Sequence, residues 1–343
     1  MRLLILGGTA WLGSAIAAEA LSRDHKVTCL ARGRSGQAPE GATLVQADRE
    51  TPDSYSKVVS QPWDAVVDVA RQPGQVRRAT LALEPVAALY IFISSANVYA
   101  DQQTLYQDED APLLSPLEQD HMADMAQYGQ AKVACEQAVE ATFGTSRSLV
   151  VRAGLLGGPG DIFGRSGYWP WRFAHPSNLE EAVLLPHAAE RPTQLLDARD
   201  LAAWLVSCAE SGTVTGVRNA VGPQISFAEH LDVARRVAGH TGPVVAVPEE
   251  WLRDHGVQPW MGARSLPLWL DDPDWFGMNA RDGSRAVASG LRTRPLEETL
   301  QDVLAWEVSR EPPGPHGAGL TDSEERSLLS AYLGRSVAVG SPL

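Results

Sequence analysis

Apolar and polar positions follow two rhythms through the first half of the chain. Apolar runs of strand length occur at Arg2–Leu6, Lys26–Ala31, Thr43–Ala47, Asp64–Ala70, Ala88–Ser94 and Ser148–Ala153. Between them lie longer stretches with helical spacing, such as Trp11–Leu21 and Gln127–Ala141. Runs that are apolar on both faces, alternating with helices of about 10–15 residues, predict a parallel, doubly wound sheet of the α/β class. Right-handed crossovers then put helices on both faces. Beyond residue 154 the rhythm breaks at "GGPGDIFGRSGYWPWRF", which is dense in glycine, proline and aromatics. The expected organisation is a sheet domain at 1–154, completed by 190–222, and a smaller C-terminal lobe from 155–189 and 223–310. Residues 311–343, opening with "EPPGPHGAG", are expected as a linker and a last helix near Asp322–Leu333.

Composition narrows the function classes. A chain of 343 residues, 44% hydrophobic, can bury a core large enough for two lobes. Its formal net charge of -13 argues against nucleic acid, because phosphate binding needs a basic footprint. No run approaches the roughly 18 apolar residues of a membrane span, and no leader pattern opens the sequence. A cytoplasmic protein is expected. Cys29, Cys135 and Cys208 fit no metal-ligand spacing and are expected as buried thiols, and no metal site is expected.

The candidate chemistry begins at "RLLILGGTAWLG". A glycine-rich bend between a first strand and a first helix aims helix N–H groups at an anion and lets the backbone approach it. Gly7 is expected to make the turn, Gly8 to give the bare backbone and Gly13 to allow close helix packing. Thr9, Ala10, Trp11 and Leu12 complete this expected pyrophosphate site. One methyl at Ala10, where glycine is usual, narrows the approach without closing it. At the second strand's end an acidic residue would hold a ribose 2′-hydroxyl. The chain has "ARGRS" there, and the guanidinium groups of Arg32 and Arg34 suit a 2′-phosphate. NADP(H) is therefore expected rather than NAD(H). Asp48 is positioned either to meet the adenine or to cap its strand. Ala70 and Ser94 end two further strands at the edge where such sheets bind ligands.

"YGQAK" puts Tyr128 and Lys132 four apart on one helix face. A phenol is a poor base at neutral pH unless a neighbouring positive charge stabilises its anion. A serine from "IFISSANVYA" would hold the reacting oxygen while the tyrosine exchanges its proton. With these motifs in this order, the chain resembles the extended short-chain dehydrogenases/reductases, also called the NAD-dependent epimerase/dehydratase family. The resemblance runs along most of the chain. It includes Gly7–Gly13, "SSANVY", Tyr128 with Lys132, "DEDAPL", "GGPGD", "LLDARDLA" and the closing segment from Arg285 to Trp306. It implies a Rossmann fold, catalytic roles for Ser95, Tyr128 and Lys132, a role for Lys132 at the cofactor, and a homodimer built through the tyrosine-bearing helix.

The departures bear on substrate. Nucleotide-sugar dehydratases of the family carry an Asp-Glu pair after the catalytic serine or threonine, where this chain has Ala96 and Asn97. Dehydration is not expected. Many nucleotide-sugar members carry asparagine three residues after the sixth strand's arginine; counted from Arg152, that position is Leu155. Arg71 stands where a small residue is usual. It is expected to hold an acidic group on the substrate, to brace the cofactor's phosphates or to sit in solvent. Asn97, Asp161, Arg165, Tyr168 and His187 are the remaining substrate candidates, set among aromatics of which core packing accounts for most. Three functions follow: an NADP(H)-dependent carbonyl reductase or alcohol dehydrogenase, a sugar or nucleotide-sugar epimerase, and a catalytically silent dinucleotide sensor. The intact Ser95, Tyr128 and Lys132 argue against the last.

Overall fold

The computed structural model describes residues 1–315 and 317–339, without the side chains of 335–339. His316 and residues 340–343, which fall in the expected 311–343 segment, lie outside the described residues. Seven parallel strands form the central sheet. They are β1 (Arg2–Leu6), β2 (Lys26–Ala31), β3 (Thr43–Gln46), β4 (Trp63–Asp68), β5 (Ala87–Ser95), β6 (Ser148–Ala153) and β7 (Gly216–Ala220). Their order is β7-β6-β5-β4-β1-β2-β3, so the direction of winding reverses between β1 and β4. Open sheets bind ligands at such a switch point, outside the carboxyl ends of the strands.

The pleat explains the two-sided burial. Leu3 and Ile5 join one core cluster with Ile16, Ala17 and Ala20 of α1 (Trp11–Ser22) and Leu201 and Leu205 of α4 (Ala198–Ser211). Leu4 and Leu6 join another, with Val76, Ala79 and Leu83 of α2 (Pro73–Leu83) and Cys135, Val139 and Phe143 of α3 (Tyr128–Phe143). Alternate side chains of each strand thus feed opposite helix layers, as the doubly wound reading requires. The register levels the carboxyl ends: Leu6 lies beside Leu30 on one side and Asp68 on the other.

The chain divides into two compact units. The first is Met1–Leu156, Gln194–Pro223 and Gly277–Thr293. Residues 277–293, expected in the smaller lobe, belong here instead. The reason is local: Arg281 N and O bond the side chain of Gln194, the Asp282 carbonyl accepts from Asn219 Nδ2, and Gly283 lies against Val221. The second unit is Gly157–Thr193, Gln224–Phe276 and Arg294–Leu343. Its core holds Trp169, Phe173, Phe227 and Trp269, and Trp169 Nε1 donates to the Pro267 carbonyl at 2.7 Å. The final helix (Asp322–Val339), expected behind a linker, is part of this unit: Glu325 accepts from Leu184 N, and the buried Arg172 bonds Asp322.

Candidate functional site

The glycine turn follows β1 at the switch point. Gly7 has φ +98, and a methyl there would lie 2.6 Å from Val69 Cγ2, so both conformation and space require glycine. Gly13 presses α1 onto the turn: a methyl there would lie 2.3 Å from the Gly7 carbonyl oxygen. The role expected of Gly8 needs correction. A methyl on Gly8 would strike Cys29 Sγ at 2.4 Å, inside the sheet, so Gly8 is bare for the core and not for a ligand. Ala10 has φ -91 and ψ 161 as N-cap of α1, a conformation any L-residue adopts. The half-buried Trp11 and Leu12 form the first turn of α1 and do not line the cavity described next.

A cavity of about 390 Å³ opens beside this turn. Gly7, Thr9, Ala10, Arg32, Arg34, Asp48 and Ala70 line it, as does Arg71. Gly8, Gly13, Ser94 and Lys132 do not. The guanidinium groups of Arg32, Arg34 and Arg71 are exposed and have no protein partner among the described residues. Asp48 lines the cavity, and its Oδ1 accepts from Glu50 N at 3.2 Å in the turn after β3. One lining residue escaped the sequence reading. Arg49 forms a bidentate pair with Asp68, both bonds 2.7 Å, at the cavity's inner wall. Burial alone would raise the Asp68 carboxyl, but Arg49 outweighs it and holds the group below the usual carboxylate range.

The three candidate catalytic residues come from adjoining elements. Ser95 ends β5, and its Oγ donates to Asn97 Oδ1 at 3.0 Å and accepts from Asn97 N. The half-buried Tyr128 opens α3. The next residue, Gly129, lies against the Asn97 carbonyl so closely that a methyl would come within 2.2 Å. This contact holds the start of α3 on the Ser95 turn. Lys132 is 3% exposed, and its Nζ donates to the carbonyls of Ala70 at 2.6 Å and Ile93 at 2.7 Å. The same Nζ stands 5.8 Å from the Tyr128 ring centre. One turn further on, Glu136 accepts from Ser94 Oγ and pairs with the buried Arg152 at 2.9 Å. That network was missed in the sequence, although Tyr128, Lys132 and Glu136 recur at intervals of four.

Residues 3–88 match the model of the NAD dependent epimerase/dehydratase family. The 2′-dehydrokanamycin reductase of Streptomyces kanamyceticus is 28% identical over 264 residues, covering 74% of this chain and 71% of that protein. On these two similarities the chain is an enzyme of the NAD(P)-dependent oxidoreductase/epimerase type. The fold also matches UDP-glucose 4-epimerase from Bifidobacterium longum, solved with NAD+ and UDP, at TM-score 0.61 and 17% identity over 92% of this chain and 100% of that one. UDP-N-acetylglucosamine 4-epimerase from Bacillus cereus gives TM-score 0.62 and 16% identity, over 89% and 98%. Among the described residues, no helix is long and apolar enough to cross a membrane, and no His/Cys/Asp/Glu group could hold a metal.

The substrate candidates of the second unit have mixed surroundings. Asp161 is 1% exposed and accepts from Phe163 N, Ser166 N and Ser166 Oγ, so it closes its own loop. Tyr168 is a core residue at 2% exposure, packed on Trp169 and Gly319, and burial pushes its phenol up. Both were expected at the substrate; their side chains are engaged in packing. Arg165 stacks between Phe163 and Trp260, 5.3 and 5.4 Å from the ring centres. His187 is exposed.

Proposed function

We propose that this enzyme is an NADP(H)-dependent reductase of a substrate ketone. The observation that carries the reading is the double anchoring of Lys132. Its bonds to Ala70 and Ile93 tie the tyrosine-bearing helix to the sheet edge beside the glycine turn, two residues from Ser95. The cavity residues fit a dinucleotide: a turn that only glycine can make, a helix N-terminus and unpaired guanidinium groups. Arg32 and Arg34 would hold a 2′-phosphate, the basis for NADP(H) over NAD(H). Similarity to a reductase of 2′-dehydrokanamycin supports reduction.

When bound, the reduced nicotinamide supplies the hydride. Ser95 holds the carbonyl oxygen by a hydrogen bond, and the Tyr128 hydroxyl gives that oxygen its proton. Hydride on carbon and proton on oxygen complete an alcohol. Lys132 sets its Nζ 5.8 Å from the centre of the phenol ring. With two N–H groups bonded to carbonyls, one remains for the cofactor's ribose.

NADPH oxidation against a panel of keto sugars tests the reading. Tyr128→Phe should lower turnover about 10²- to 10⁴-fold while NADPH binding survives. Full activity in that variant would overturn the proposal. Purified protein carrying tightly held NAD would make the enzyme an epimerase instead.

A further inference from the structure

We infer that Arg71 is a phosphate ligand of the dinucleotide site, gripping the diphosphate from the flank of the glycine turn opposite Arg32 and Arg34. This rests on the cavity being a dinucleotide site, but not on NADP(H) being the dinucleotide.

The placement follows from the sheet order. β1 lies between β4 and β2, and its turn between the segments that leave those two strands. On the β4 side, Val69 N donates to the Leu6 carbonyl at 3.2 Å, and Val69 Cγ2 fills the space that a side chain on Gly7 would take. Arg71 follows two residues later. On the β2 side come Arg32 and Arg34. A diphosphate resting on the turn therefore has a guanidinium on each flank, whereas a 2′-phosphate belongs with the ribose at the β2 end.

The charges around Arg71 leave it available. The carboxylates in the cavity lining are Asp48 and Glu50, with Asp68 behind them on Arg49. Glu50 accepts from Gln75 Nε2 at 2.6 Å and Arg78 at 2.8 Å, and lies 3.4 Å from His121. Asp48 accepts from the main chain of its own turn. None is paired with Arg71. Meanwhile the main chain on either side is fixed. Ala70 N donates to Asp68 Oδ1, the Ala70 carbonyl holds Lys132, and Gln72 accepts from Met122 N at 2.9 Å. An exposed guanidinium is thus presented from a rigid base, and the N-terminus of α2 starts behind it at Pro73. Fixed donors around a positive edge suit an anion, because little ordering remains to be done on binding.

Calorimetric titration with two fragments separates the phosphates. ADP carries the diphosphate without a 2′-phosphate, and 2′-AMP carries the reverse. Arg71→Ala should weaken ADP, NADH and NADPH alike by about tenfold or more, and change 2′-AMP less than about twofold. Arg71→Lys should recover part of the loss, since it restores the charge without the fork. Arg32→Ala should show the converse pattern, losing 2′-AMP and NADPH while ADP holds. The unliganded unfolding midpoint of Arg71→Ala should match wild type, because among the described residues the exposed side chain has no hydrogen-bond or ion-pair partner. Unchanged ADP affinity in Arg71→Ala overturns the assignment, and more so if KM for an acidic substrate rises. A greater loss of 2′-AMP than of ADP also overturns it. If wild type prefers NADH while Arg71→Ala still weakens both dinucleotides, the NADP(H) reading falls and the Arg71 assignment stands.

Discussion

Replacing Gly8 by alanine tests which side of the glycine turn that residue serves. The added methyl would lie 2.4 Å from Cys29 Sγ, 2.8 Å from Cys29 Cβ and 3.4 Å from Ile5 Cγ2. Carbon–carbon contacts are favourable near about 3.5–4.0 Å, so the overlap with Cys29 is of the order of 1 Å. Cys29 is fully buried in β2 between β1 and β3 and has no room to retreat. Overpacking of this kind costs about 1–3 kcal/mol, and the lack of slack puts Gly8→Ala toward the upper end. Cys29→Ala removes the sulfur and leaves a small void, which costs stability by itself. In the double variant the methyl occupies part of that void, so the two losses should fall short of additive by about 1 kcal/mol. Urea unfolding of the four proteins without cofactor measures the coupling, and NADPH titration of the folded variants measures the site. The expected result is lost stability with NADPH affinity kept within about threefold. An alanine variant that unfolds like wild type but binds NADPH tenfold more weakly would refute the assignment of Gly8 to the core.

Three other outcomes are expected. Ala10 caps α1 without a side-chain hydrogen bond, so Ala10→Ser should raise the unfolding free energy by about 1 kcal/mol in urea titrations; no gain would mean the cap cannot form. Glu136→Ala leaves the buried Arg152 without its carboxylate and should cost about 3–5 kcal/mol, most of it recovered by adding Arg152→Met. His230 is fully buried, both ring nitrogens lack a partner among the described residues, and burial pushes its pKa down to about 4. The unfolded chain takes up a proton that the native state refuses, so stability is complete above about pH 6.5 and falls by up to about 3 kcal/mol toward pH 4. His230→Leu should flatten that slope, and an unaltered slope would remove His230 as its cause.

The central strands were legible because they are covered on both faces. Arg2–Leu6, Lys26–Ala31 and Ser148–Ala153 are bounded as their apolar runs are. At the sheet's rim the signal fades: β7, "GVRNA", carries Arg218 and Asn219 and shows no apolar run. The expected strand to Ala70 stops at Asp68, where the carboxyl edge opens. Residues 277–293 were misassigned because their ties are long-range hydrogen bonds through Arg281 and Asn219, which leave no local pattern. Within the site, residue types and spacing named the glycine turn but not the direction of each missing side chain. Gly7 and Gly8 look alike in sequence, and only the strands beside them distinguish turn from core. Asp161 and Tyr168 show the same limit: one closes its own loop and the other sits in a core, and neither fate can be read from a polar residue among aromatics.

Lys132 has a consequence for how this enzyme can change over evolutionary time. Its ammonium bridges the segments that end two neighbouring strands, so it works as a keystone of the sheet edge as well as a neighbour of the phenol. Replacing it strips two buried carbonyls of their donor, whatever becomes of proton transfer. Tyr128 is half-buried, and its side chain makes no comparable pair of hydrogen bonds among the described residues. With Tyr128 in the proposed proton-transfer role, a lineage that abandons turnover can drop the tyrosine at little cost, while the lysine remains under selection for the fold. Inactive descendants of this chain should be recognisable by a lysine that has outlived its tyrosine.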